Sequence, residues 1–125
     1  MKIAAKSDKG LVRSNNQDSY AAGELPGNVA WAVVCDGMGG AAGGNVASAT
    51  AVKLISEKIA TCYHAGMSDG SIKNLLISAI ESANMLVFDT AGQNEALFGM
   101  GTTVVAVIIN VDRVYVASVG DSRVY

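Results

Sequence analysis

Three short stretches hold the residue types that can do chemistry. In WAVVCDGMGGAAGG (31–44) an apolar, strand-like run from Val29 to Cys35 stops at Asp36-Gly37, and glycines at 37, 39, 40 and 43 precede a helical pattern. A strand of this kind hands one carboxylate to a loop of bare backbone. Hard divalent cations take oxygen ligands, and an Asp beside a Gly offers a carboxylate together with an unshielded carbonyl. The plainer alternative is a Gly-rich turn whose Asp caps the next helix. In RSNNQD (13–18), Arg13 presents a planar fork of donors suited to two phosphate oxygens, and Asp18 supplies an anion for a metal-held water. The alternative there is an exposed ion pair of little energetic worth. Asp121, in Gly120-Asp121-Ser122, again stands where an apolar strand meets a glycine turn, a pattern also common in ordinary hairpins.

Positioning such groups requires a core, and 125 residues suffice for one domain that buries roughly two-thirds of its unfolded surface. Hydrophobic residues make up 50% of the chain and charged ones 16%, which excludes a disordered chain and is compatible with a surface partly covered by a partner. The net charge of -2, with no Lys/Arg cluster, argues against nucleic acid or an anionic membrane as partner. Cys35 and Cys62 lack CxxC spacing, and MKIAAKSDKG is too short and polar for the apolar part of a secretory leader. Reduced, buried thiols in a cytoplasmic protein are expected. The longest apolar run, Val104 to Ile109, is far short of the ~20 residues that cross a bilayer.

In chain order, Lys2 to Lys6 reads as a first short strand and Arg13 to Ser19 as a polar loop or irregular strand end. Leu25-Pro26-Gly27-Asn28 is a turn, so a hairpin returns through Val29 to Cys35, whose nearly continuous apolarity suggests burial on both faces with Trp31 as a core anchor. Asn45 to Cys62 sets Val46, Ala49, Val52, Ile55, Ile59 and Cys62 at helical steps. His64, the single histidine, follows that helix, where a cation suits the dipole. Ser68 or Asp69 caps a second helix with apolar face Ile72, Leu75, Leu76, Ala79, Ile80, Ala83, Leu86 and Val87, and Met85 and Phe88 read as packing residues. From Thr102 the pattern turns to β: TTVVAVII, a turn at 110–112, RVYVASV, then RVY.

Together RSNNQD (13–18), VVCDGMGGAAGG (33–44), VAS (46–48), GMGTT (99–103) and VGDSR (119–123) resemble the PPM family, the metal-dependent PP2C-type serine/threonine phosphatases. Several motifs in the right order are far more specific than any one alone. The resemblance implies an α+β fold, an antiparallel β-sandwich flanked by helices, of which 1–125 correspond to roughly the amino-terminal half; the family's later half, with two further metal-binding aspartates, has no counterpart here. It implies that Asp36 bridges two Mn²⁺ or Mg²⁺ ions with the Gly37 carbonyl on one of them, that Asp18 acts through water, that Arg13 clamps the substrate phosphate, and that Asp121 binds a third, weaker metal. The implied reaction is hydrolysis of phosphoserine or phosphothreonine in proteins, opposing a serine/threonine kinase. Two ions roughly 3.5 to 4 Å apart activate a shared water and stabilise both oxygens of an in-line displacement, so no protein nucleophile is needed.

Met38 stands where animal members carry a histidine and matches the bacterial branch; Gln17 replaces a glutamate found in some relatives. With the later aspartates missing, Asp36 alone cannot balance two dications, so weak metal affinity and little turnover are expected of this chain by itself. An uncovered half-sandwich is also expected to self-associate. The alternative function is a non-catalytic module that keeps the first half of the fold for binding or dimerisation.

Overall fold

The computed structural model describes residues 18–38, 40–93 and 100–119. The expected strand at Lys2 to Lys6 lies outside them. The elements, in order, are β1 (Asp18–Leu25), β2 (Val29–Met38), α1 (Gly40–Cys62), α2 (Asp69–Gln93), β3 (Gly101–Ile109) and β4 (Val114–Val119). The four strands form one antiparallel sheet in the order β1-β2-β3-β4. Antiparallel neighbours need only short turns, and both hairpins have them. The first closes through Gly27 and Asn28, whose φ values of 85° and 60° lie in the region that glycine and asparagine tolerate best. The second closes with hydrogen bonds in both directions between Asn110 and Arg113.

Because side chains alternate along a strand, register assigns every residue to a face. Val29, Trp31, Val33 and Cys35 point toward the helices with Val104, Ala106, Ile108 and Tyr115, and they pack with Ala51, Val52, Ile55 and Ile59 of α1 and Ile72, Leu76, Ala79 and Ile80 of α2. The other face carries Tyr20, Val34, Val114 and Val116, exposed by 42, 48, 59 and 49%. The uniform apolarity of β2 suggests burial on both faces; among the described residues the helix layer covers one, and Val34 stands half open on the other.

α1 starts at Gly40 rather than Asn45, five residues earlier than its pattern suggests. Close packing accompanies the extension: a Cβ on Gly43 would come within 3.1 Å of Met100 Cβ, just before β3, so this turn of helix leaves little room for a larger side chain. The buried stripe of α1 accordingly includes Ala47, Ser48 and Ala51, whereas Ala49 and Cys62, expected on the core face, are exposed. α2 keeps its expected face from Ile72 to Val87, with two differences. Leu86 is 42% exposed, and Met85 and Phe88, expected to pack, are exposed by 66 and 76%. No helix among the described residues is long and apolar enough to cross a membrane.

The α2 start is tied to the sheet. Ser68 Oγ accepts the Ser71 amide at 3.2 Å, an N-cap. One residue on, Asp69 Oδ1 accepts from the Tyr115 hydroxyl at 2.5 Å, and Asp69 Oδ2 pairs with Arg113. The Tyr115 hydrogen bond, helped by the charge of Arg113, holds the Asp69 carboxyl below its ordinary value. The same hydrogen bond raises the Tyr115 phenol, and the Asp69 charge raises Arg113.

Candidate metal centre

Asp36 lies within β2, which runs on to Met38, and not on a loop after it. The strand continues because both flanks are paired: Asp36 faces Asp18 on β1 and Thr103 on β3, and Gly37 faces Thr102. Directly opposed residues of an antiparallel pair share a face, with Cβ atoms about 4.5–5.5 Å apart. Asp18 and Asp36 therefore stand side by side on the face turned away from the helices. Two carboxylates so placed repel, and a divalent cation reverses the sign of that interaction. The donor set is oxygen only, which suits Mg²⁺ or Mn²⁺.

β3 holds the backbone at this point. The Asp36 amide donates to Thr103 Oγ1 at 3.3 Å, and its carbonyl accepts from Thr102 Oγ1 at 3.2 Å and from Thr103 Oγ1 at 3.4 Å. In an extended strand the N–H and C=O of one residue point the same way, so a single threonine hydroxyl can span both. Behind the pair, on the helix side, Cys35 is fully buried, and desolvation pushes its thiol up to about 12 despite a hydrogen bond with Thr102. Ser19 Oγ lies 3.0 Å from Ser48 Oγ of α1.

Of the residues expected at the site, Asp18, Asp36 and Gly37 come together, while Arg13 and Asp121 lie outside the described residues. No third His, Cys, Asp or Glu joins them among the described residues. His64 is exposed, with Nδ1 3.1 Å from the Ala65 carbonyl oxygen. Sequence reasoning gave no role to Ser19, Ser48, Thr102 or Thr103. For Ser48 a signal existed: a hydroxyl one step from Ala47 and three from Ala51, inside a stripe of small apolar residues.

The family model for protein phosphatase 2C matches residues 11–125. The chain belongs to the protein phosphatase 2C family. Among bacterial members of this PP2C family, the serine/threonine phosphatase stp of Listeria monocytogenes is 38% identical over 122 residues, covering 96% of this chain and 47% of that protein. The serine/threonine protein phosphatase PstP of Mycobacterium tuberculosis is 36% identical over 128 residues, covering all of this chain and 22% of that protein. The structure of the Streptococcus agalactiae serine/threonine phosphatase superposes with a TM-score of 0.83 at 36% identity, over 93% of this chain and 47% of that one. The crystal structure of Mycobacterium tuberculosis PstP/Ppp superposes at 0.77 and 34% identity, over 96% of this chain and 47% of that one. The α+β class and the PP2C-like arrangement expected from the sequence thus hold for the sheet and helices present. The chain spans about half the length of several relatives it matches, 47% in the Listeria case.

Proposed function

We propose that this chain carries part of the active site of a phosphoprotein phosphatase, which hydrolyses phosphoserine or phosphothreonine esters by direct attack of water. The supporting observation is the juxtaposition of Asp18 and Asp36 across β1 and β2, on the sheet face that no helix covers among the described residues. PP2C-type enzymes are metal-dependent, and an oxygen-lined carboxylate pair is what such an ion requires. When bound, two Mn²⁺ or Mg²⁺ ions supply an activated water and neutralise the charge of the phosphoryl group. Asp36, with the Gly37 carbonyl, would hold the ions, Asp18 would accept hydrogen bonds from a coordinated water, and Asp121 would hold a third ion. Arg13 would orient the phosphate through paired N–H donors. We assign the reaction to the cytoplasm, where the free Cys35 and Cys62 suit a reducing compartment and a serine/threonine kinase supplies the substrate.

Two kinds of measurement test this reading. Mn²⁺ added to the 125-residue chain should broaden the amide resonances around Asp18 and Asp36 at millimolar concentration. Asp36→Asn should remove that effect and any Mn²⁺-dependent release of phosphate from a phosphothreonine peptide. Two carboxylates give modest affinity, so turnover by this chain alone should be slow. No broadening in wild type at millimolar Mn²⁺ would retire catalysis by the chain and leave the binding-module reading. The open apolar face of the sheet should also make the chain self-associate.

A further inference from the structure

We propose that the Ser19–Ser48 hydroxyl pair is a positioning device for the carboxylate pair, fixing the register of β1 so that Asp18 faces Asp36. This inference deepens the phosphatase reading and rests on its metal site. Ser48 is the one buried polar or charged side chain among the described residues, at 0% exposure, and it sits where α1 crosses the sheet. Its Oγ lies 3.0 Å from Ser19 Oγ and 3.4 Å from the Asn45 carbonyl, to which it can donate. With its proton committed there, Ser48 Oγ can accept the proton of Ser19. A hydroxyl buried in an apolar layer is costly unless bonded, so Ser19 facing Ser48 gives both hydroxyls a partner there, in addition to the longer bond from Ser48 to the Asn45 carbonyl.

Register follows directly. Ser19 pairs with Cys35, and Asp18 with Asp36, so the two neighbours on β1 point to opposite faces. A slip of one residue would turn Asp18 toward the helices and leave Ser48 with only its longer bond to the Asn45 carbonyl. The other residues of β1 that face the helices act further along the strand: Gly23 is required opposite Trp31, where an added Cβ would lie 2.7 Å from the indole nitrogen, and Leu25 packs in the core, while Ala21, nearest to Ser19, is small. A single polar contact between layers, one residue from the carboxylate, is therefore well placed to keep Asp18 in line with Asp36.

Ser19→Thr and Ser19→Val test it, because the two side chains share a shape and differ only in the hydroxyl. The readout is a Mn²⁺ titration of the 125-residue chain followed by broadening of the Asp18 and Asp36 amides, with thermal melts run alongside. Ser19→Val should shift the titration midpoint upward about tenfold, the lower end of the range for supporting hydrogen bonds at metal sites. Ser19→Thr should stay within about twofold of wild type on the same scale. Ser48→Ala should reproduce the Val shift without adding to it in the double variant. Equal midpoints for Ser19→Thr and Ser19→Val would overturn the inference while leaving the metal site intact. Absence of broadening in wild type would overturn the metal site itself, and this inference with it.

Discussion

Cys35 and Asp36 are consecutive, yet the pleat sends one into the helix layer and the other onto the open face. That division makes the two cysteines chemically unequal. Cys35 is fully buried with its thiol pushed up to about 12, whereas Cys62 is exposed at the end of α1. Iodoacetamide at neutral pH should therefore add once to the native chain, at Cys62, and twice after denaturation; two rapid native additions would show that Cys35 is not enclosed. The raised thiol also has a pH consequence. The folded state holds the proton more tightly than the unfolded, so the contribution is complete below the ordinary value of 9.0 and is lost as pH rises toward 12. Three pH units correspond to about 4 kcal/mol at most. Cys35→Ala should flatten the alkaline fall in stability over that window, measured by urea unfolding at stepped pH.

Elements meet at a few side chains whose chemistry the periodicity of the sequence does not encode. The hairpin, the second helix and the β3-β4 meander were legible because turn residues and apolar spacing are local signals, and Asp36 stood out because a carboxylate interrupts an apolar strand. That Asp18 would lie opposite it was not, since register depends on the whole β1-β2 pair, and the early start of α1 was masked by its glycines, of which Gly43 sits close against Met100. The clamp at Asp69 was equally hidden, as its partners Arg113 and Tyr115 lie 44 and 46 residues away. Asp69→Asn should lower stability at pH 7. Because the folded carboxyl is held below its ordinary value of 3.8, its contribution is present above that value and lost as pH falls through the folded one. The gap between variant and wild type should thus narrow in acid, as read by urea midpoints at pH 7 and below pH 4. Gly23 is a second such meeting point, paired with Trp31, where an added Cβ would lie 2.7 Å from the indole nitrogen. Gly23→Ala should cost about 1–3 kcal/mol, because an indole packed on the core cannot retreat without moving its neighbours.

For the molecule as a whole, the two faces of the sheet have different physical roles and should separate experimentally. The helix side holds the cohesive core, in which Ile55 is fully buried. Ile55→Ala removes those contacts and leaves a cavity, so the urea midpoint should fall by the equivalent of about 2–5 kcal/mol. The opposite side sets Tyr20, Val34, Val114 and Val116 in the open and places the carboxylate row at one end. A face this apolar can lower its free energy by covering itself with a second copy, so sedimentation should show larger species as concentration rises. Val116 is 49% exposed and lies on β4, at the edge of the sheet farthest from Asp18. Val116→Lys should therefore shift the population toward monomer, because association would desolvate the ammonium group, while changing stability by no more than about 0.5 kcal/mol. A monomer at every concentration in wild type would mean that the face is tolerated in water. A variant that stays associated would place the contact elsewhere, with the exposed Met85 and Phe88 of α2 as the next residues to change.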